Sequence, residues 1–334
     1  MFEKRLALSV PYEFPLADHA EIAREMEALG YRDAWSYEVD GGDCFTPLAV
    51  VAQATQMRVG TAIANVYTRG PATLAQSAAA IAELAPGRFV LGVGSGSKPI
   101  VENWNSLSFT KPATRVKEMV QFLRQALSGE RVVFEGTTFQ VNGFRLTRPP
   151  KEPVPIHVAA LREGMLRVAG QVADGVCLNW LSPEDVKKSV AVVRQAAAEA
   201  GRDPASIEIT ARLMVNIDEP GPETDAVLRR SLAAYLNVPT YRKFHEWLGR
   251  GPQLQGMWDA WAAGDRKAAL DAIPQQALDD LFVKGTPEER RAQVQAYLDA
   301  GIDTAFLSLY TSERDPKKRG EKVLQALRDH APRR

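Results

Sequence analysis

Between Arg88 and Ser97 the chain reads RFVLGVGSGS, an apolar run that breaks into alternating glycines. Gly92, Gly94 and Gly96 carry no Cβ, so the backbone there can take positive φ and bring its amides against a flat or anionic ligand. The run fits the dinucleotide fingerprint only through Gly92 and Gly94. Ser97 holds the place of the third glycine, and residues 98–105 read as loop where the fingerprint needs a helix. A structural turn at a strand end and a ligand-facing loop both remain open. A second stretch with chemical capacity is Ala159, Ala160, Leu161, Arg162, Glu163 and Gly164, which joins a strand pattern to a helix start. Unpaired amides and the helix dipole make such a place suited to phosphate, although a tight connection with no ligand uses the same residues. Arg69 and Lys98 add cations near strand ends, and Glu38 with Asp40 adds carboxylates.

These groups matter only if the fold gathers them. Strand-like and helix-like patterns alternate: strands are expected at 5–10, 33–37, 58–63, 88–93, 154–159, 175–178, 206–216 and 303–309. Helices are expected at 16–29, 45–54, 72–84, 117–127, 162–172, 183–200 and, as the last one, 287–300. Eight strands, most followed by a helix, predict an α/β fold with a parallel sheet. Over 334 residues they point to a (β/α)8 barrel, with a doubly wound open sheet as the alternative. Two segments break the rhythm. Residues 131–147 read as a small β-hairpin ending near Pro149-Pro150, and about 239–283 as a helical insertion before the last helix. The aromatics of that insertion, Tyr241, Phe244, Trp247, Trp258 and Trp261, suit a core, a lid or a dimer contact.

In a barrel the active site collects at the C-terminal ends of the strands. Those ends hold Tyr12 and Glu13, then Glu38, then Ala62, Ile63, Asn65 and Tyr67. Next come Gly94, Ser95, Gly96 and Ser97, then residues 159–164, then Asn179 and Trp180. The set is rich in amides, small side chains and aromatics and poor in histidine, which suits a large planar ligand better than a hydrolytic triad. His157, within an apolar strand, is read equally as an interior or a catalytic group. His19, His245 and His330 lie in helical patterns and are expected at the surface, and none of the four is spaced for a metal.

Composition removes whole classes of partner. Lys and Arg number 41, Asp and Glu also 41, so no basic field exists to hold nucleic acid or an anionic membrane. No apolar run is long enough for a signal peptide or a membrane span, and a cytoplasmic location is expected. Cys44 and Cys177 stand far apart without a CxxC pair, which predicts reduced, buried thiols.

The segment TAIANVYTRGP at 61–71, followed after a helix by GRFVLGVGSG, resembles the luciferase-like monooxygenase superfamily. The nearest resemblance is to its deazaflavin-dependent branch, which includes methylenetetrahydromethanopterin reductase. The likeness extends through DAWSYE, HVAALREGMLRVAGQVADGV and GIDTAFLSL, nearly the whole chain. It implies a single TIM-barrel domain over 1–334, coenzyme F420 or FMN at the C-terminal strand ends, and a homodimer. It further implies a non-prolyl cis peptide at Ala62-Ile63 against the deazaflavin ring. Asn65 and Gly94 to Ser97 would line the ring and its side chain, and Ala159 to Gly164 would cradle the phosphate. Glu38, where the family often has aspartate, becomes the catalytic candidate that orients cofactor or substrate. Tyr12, Tyr67, Asn179 and Trp180 are assigned to the substrate pocket, with a buried tryptophan packed against the sheet as an equal reading of Trp180. Val39 and Ser97 stand where related sugar-phosphate dehydrogenases carry histidine and glutamate, which argues against that substrate. The reductase branch also has an acidic residue at the Ser97 position. The expectation is an F420-dependent oxidoreductase moving hydride to or from a small organic substrate. An FMN-dependent monooxygenase using O2 and a non-catalytic flavin-binding protein are the alternatives.

Overall fold

Each apolar run that the sequence separates with a helical pattern becomes one stave of a barrel in the computed structural model, which describes residues 2–332. The first staves are β1 (Arg5–Ser9), β2 (Asp33–Ser36), β3 (Arg58–Thr61) with its continuation β4 (Ala64–Asn65), and β5 (Phe89–Gly94). An antiparallel hairpin of β6 (Val132–Glu135) and β7 (Gln140–Phe144) follows, then β8 (Ile156–Ala159), β9 (Gly175–Asn179), β10 (Glu208–Asn216) and β11 (Thr304–Tyr310). The parallel sheet runs β3-β2-β1-β11-β10-β9-β8-β5, and pairing of Val59 with Phe89 and Gly60 with Val90 joins its two edges. Closure leaves no unpaired edge, and the expected (β/α)8 barrel forms.

The helices that cover it are α1 (His19–Ala28), α2 (Thr46–Ala54), α3 (Pro71–Leu84), α4 (Pro112–Leu127), α5 (Glu163–Val172) and α6 (Pro183–Glu199). Between β10 and β11 lie α7 (Pro222–Leu236), α8 (Pro239–Trp247), α9 (Gly251–Ala262), α10 (Arg266–Asp271), α11 (Gln275–Leu281) and α12 (Pro287–Asp299); α13 (Pro316–Asp329) ends the fold. Proline opens many of them because the first turn has no use for its missing N–H. Outward strand residues such as Leu8, Val59 and Leu91 pack on helix residues such as Leu48, Leu74 and Phe122, all at most 2% exposed. Each such side chain contributes about 1.5–3 kcal/mol on burial. A second core belongs to the helical block: Leu228, Leu232 and Leu236 of α7 meet Trp258, Leu278 and Phe282. The block therefore begins at α7.

Several expectations need correction. The third strand does not run unbroken to residue 63: it breaks at Ala62-Ile63, where the peptide is cis, and resumes beside β5. Residues 99–104 form a π-helical turn, not loop. The helix at 287–300 is not the last, since α13 follows β11. Its signal was legible, with Asp315 accepting from the Lys318 amide at 2.9 Å, Pro316 next, and Val323, Ala326 and Leu327 at helical spacing on the buried side. His19, His245 and His330 are buried at 3%, 1% and 1% exposure rather than on the surface. His330 accepts from Arg290 Nε through Nε2 at 3.2 Å, and His19 Nε2 lies 3.2 Å from Phe14 O. Both cysteines are free and buried, as expected, and burial pushes both thiols well up.

The barrel interior is filled by a few large groups facing glycine. Trp35 stacks on Phe306 with centroids 5.5 Å apart, and a Cβ on Gly60 would lie 2.6 Å from its ring. His157 occupies the space above Gly175, where a Cβ would approach Nε2 to 2.4 Å. Beneath them, at the strand starts, Arg58 Nη1 donates to Glu208 Oε2 at 2.8 Å and Nε to Asp33 Oδ2 at 2.8 Å. Arg58 Nη2 reaches Thr304 Oγ1 at 3.0 Å, and His157 Nε2 lies 3.6 Å from Glu208 Oε2. Burial pushes Glu208 up, but hydrogen bonds from Arg58 and Thr304 and the Arg58 charge outweigh it and hold the carboxyl at about 2. Burial lowers His157, so it stays neutral.

Removing Arg58 leaves the buried Glu208 without its arginine and Asp33 with Arg5 alone, at 3.1 Å. R58A should cost about 3–5 kcal/mol in chemical denaturation at pH 7. Because Glu208 is depressed in the folded state, its stabilisation is complete above the ordinary carboxyl value of 4.5 and is lost as pH falls toward 2, about 3 kcal/mol in all. Stability of E208Q measured from pH 5 to 2 should fall less steeply than that of the wild type. Parallel curves would show that Glu208 does not carry this dependence.

Candidate active site at the barrel mouth

The inward positions follow period two along each strand, so the residues at the mouth can be read from those fixed lower down. Ala7, Trp35, Cys177 and Phe306 share the interior cluster, which places Ser9, Tyr37, Asn179 and Ser308 inward one step higher. On β10, Glu208 and Thr210 face inward to Arg58 and His157, and Arg212 follows in phase. Ile63, Gly94 and Ala159 complete the ring.

The ring has two unlike halves. On β3, β5 and β8 it is small and apolar: a Cβ on Gly94 would meet Ile63 Cγ1 at 2.9 Å and Ala159 Cβ at 3.1 Å. On β9, β10, β11, β1 and β2 it is polar. Arg212 Cζ sits 4.1 Å from the centre of the Tyr37 ring, and Arg212 Nη2 donates to Ser308 Oγ at 2.9 Å. Arg212, Ser308, Tyr37 and Ser9 were not singled out from the sequence. The signal was the alternation Glu208, Thr210, Arg212 inside an apolar strand, which marks a polar inward face once the sheet is known to close.

The bulge explains the apolar half. Thr61 Oγ1 donates to Gly92 O at 2.7 Å, and a Cβ on Gly92 would lie 1.9 Å from Thr61 O, so glycine is obligatory there. Ala62 N donates to Ser36 O at 2.6 Å, which carries Ala62 and Ile63 across the mouth. Asn65, 2% exposed, uses Oδ1 to accept from the Tyr67 amide at 2.8 Å. Its Nδ2 abuts Gly96, whose φ of +61° and lack of a side chain let the loop close over it. Asn65 thus clamps the bulge to the glycine loop. Ser95 Oγ stays local, on Gly96 O at 3.3 Å, and Ser97 O accepts from Val101 N at 3.1 Å to start the π-helical turn.

Beside Ala159 the chain turns into α5. Ala160 N is bound to Cys177 O at 3.1 Å, Leu161 is half-buried, and the extended Arg162 precedes the helix without a side-chain cap. Glu163 and Gly164 are exposed in its first turn, and a Cβ on Gly164 would meet nothing within 4 Å. By contrast α6 and α12 carry full capping boxes, Ser182 with Asp185 and Thr286 with Glu289. The α5 terminus is therefore an open cradle of amides at the positive end of a helix.

Other expected residues are engaged differently. Glu38 receives a two-pronged contact from Arg69, Nη2 to Oε1 at 2.6 Å and Nε to Oε2 at 3.3 Å, while Arg69 also stands 3.5 Å from Asp43 and over Phe45. Arg69 is thus compensated, as is Lys98 by Glu102 at 3.5 Å. The Tyr12 hydroxyl donates to Tyr37 O at 2.7 Å and accepts from Tyr37 N at 3.0 Å, pinning the end of β2. Tyr67 donates to Thr110 O and lies under Arg115. Trp180, at φ +54° and 2% exposed, turns away from the mouth into the helical block against Tyr235 and Phe282. Of the four residues assigned to the substrate pocket, Asn179 is in phase with the inward positions, Tyr12 packs on Tyr37 with ring centroids 4.6 Å apart, and Trp180 turns into the helical block.

Gly96→Ala should destabilise by about 1–2 kcal/mol, the cost of left-handed backbone for an L side chain, plus displacement of Asn65. Gly164→Ala, in open space in a helix, should instead raise stability by about 0.5–1 kcal/mol. Thermal unfolding of the two variants checks both signs.

The family model described as luciferase-like monooxygenase matches residues 2–304. The chain is 29% identical over 296 residues to 5,10-methylenetetrahydromethanopterin reductase of Methanolobus tindarius, covering 86% of this chain and 89% of the relative. The solved coenzyme F420 dependent tetrahydromethanopterin reductase of Methanopyrus kandleri superimposes with a TM-score of 0.77 at 22% identity, over 99% of this chain and 100% of that one. A type II Baeyer-Villiger monooxygenase of Pseudomonas putida, solved with FMN, gives 0.64 at 18% identity, over 99% and 97%. With a family match spanning nearly the full length, this chain belongs to the luciferase-like monooxygenase family.

Proposed function

We propose that this oxidoreductase binds coenzyme F420 across the apolar half of its mouth and moves hydride between that cofactor and a small organic substrate. The observation that carries the reading is the adjacency of two features on neighbouring staves. Ile63, Gly94 and Ala159 form a side-chain-poor surface, and the open N-terminus of α5 lies directly beyond Ala159. A planar ring with a phosphorylated side chain matches that pair, and the named activity of the Methanolobus relative supports the deazaflavin. When bound, the deazaflavin supplies a ring carbon that accepts or gives a hydride.

The chain's own residues do the rest. Ala62, Ile63, Gly94 and Ser95 would hold the ring, and the amides of Glu163 and Gly164 would hold the phosphate. Glu38, fixed by Arg69, orients the entrance at the end of β2. Tyr37, Asn179, Arg212 and Ser308 face the other side, where substrate meets the ring. The helical block, packed over the ends of β9 and β10, excludes water from that side. FMN, which also joins a tricycle to a phosphate, is the second reading, because an FMN-bound neighbour shares the fold.

Titration of the purified protein with F420 and, separately, FMN, read by fluorescence, decides between them. F420 should bind at least tenfold tighter, and turnover should consume no O2. G164L should weaken F420 binding tenfold or more without lowering the unfolding temperature. Equal loss of both would remove the phosphate from α5, and tighter FMN binding with O2 uptake would reverse the cofactor assignment.

A further inference from the structure

Arg212 is a cation at the mouth without a counter-ion. Among the described residues its one hydrogen bond goes to Ser308 Oγ, it makes no ion pair, and its Nε is shielded from solvent with no partner. Of the other shielded arginines, Arg58 is compensated by Asp33 and Glu208 and Arg250 by Asp185 at 2.7 Å and Asp280 at 3.0 Å, whereas Arg290 has no ion pair among the described residues but spends its donors on His330 Nε2, Asn216 O and Gly285 O. The carboxylate that feels the Arg212 charge is Glu13, which lines one crevice with Ser9, Tyr37 and Ser308; burial raises its carboxyl against the Arg319 and Arg212 charges, and it forms no ion pair with Arg212. Two neighbouring polar atoms are also shielded and unpartnered, Asn179 Oδ1 and Ser9 Oγ. Asn179 is the register partner of Arg212 on the adjacent strand. A guanidinium and hydroxyl held together at low exposure with spare hydrogen-bonding capacity are matched by an oxyanion, and a planar carboxylate fits the guanidinium fork best.

The location says which molecule brings it. Around the closed sheet, β11 lies four strands from β5 in either direction, so Ser308 and its partner Arg212 face Gly94 across the mouth. The cofactor ring and phosphate are assigned to β3, β5, β8 and α5, which leaves Arg212 to the substrate. Tyr37, stacked on the guanidinium, walls the same space with aromatic surface.

We propose that Arg212, with Ser308 and Asn179, is the specificity determinant for the substrate, binding a carboxylate carried by it, so that the substrates are small organic acids with an apolar portion. This rests on the cofactor placement proposed above.

The F420-loaded protein is titrated with acetate, isobutyrate and benzoate, and with benzamide as the neutral counterpart of benzoate, reading the absorbance of the deazaflavin. The same compounds are added to the cofactor-free protein and read by thermal shift. At least one carboxylate should bind, benzoate at least tenfold tighter than benzamide. R212M should weaken carboxylate binding tenfold or more while F420 affinity stays within twofold; R212K, which keeps the charge but loses the fork, should fall between. S308A should weaken it by a few-fold, and either of these two replaces R212M if that variant does not fold. Carboxylate binding that is absent from the wild type, or unchanged in R212M, overturns the proposal. Loss of F420 affinity in R212M overturns it too, by assigning the cation to the cofactor. Failure of the wild type to bind F420 instead counts against the cofactor assignment, and the thermal-shift series still decides the role of Arg212.

Discussion

A single buried guanidinium holds the floor of this barrel. Arg58 projects from the start of β3 and joins Asp33 of β2, Glu208 of β10 and Thr304 of β11 across the interior. A charge can sit there only because two carboxylates and a hydroxyl replace the water it gave up. The same contacts fix how strands distant in sequence stand relative to each other. Once that register is set, period two carries it upward, and the identity of every inward residue at the mouth follows. Charge at one end of the barrel therefore determines which side chains meet a ligand at the other.

Above the floor, space is allotted by pairing one large group with one absent side chain. Gly60 makes room for Trp35, Gly175 for His157, and Gly92 for the carbonyl of Thr61. The last of these permits the third stave to bulge into the mouth, and the bulge together with Gly94 and Ala159 produces a flat apolar surface. The opposite staves end in Ser9, Tyr37, Asn179, Arg212 and Ser308. Such division suits a reaction in which one partner is held by shape and the other by polar contacts, with the helical block over the polar side.

The histidines and carboxylates illustrate why residue type alone misleads. His157 looked equally structural and catalytic, yet burial keeps it neutral two positions below the mouth, between Glu208 and Thr210. Glu38 was the obvious acid, and it is there at the end of β2, but Arg69 has claimed both of its oxygens. Trp180 stands directly after Asn179 and points the other way, because Trp180 adopts a positive φ that swings its ring into the helical block.

By itself the sequence determined the number of staves, most of the helices between them, the glycine loop, the connection before α5, and through its motifs the family. These depend on local patterns: alternation of two periods, proline and glycine at element ends, and short strings of residues in contact with their chain neighbours. Closure of the sheet, the bulge's reach across the mouth, the pairing of Glu38 with Arg69, the burial of His19, His245 and His330, and the convergence of Arg212 with Tyr37 and Ser308 were decided by tertiary structure. Each joins residues tens to hundreds of positions apart, and which of them meet depends on strand order and register that no local pattern contains.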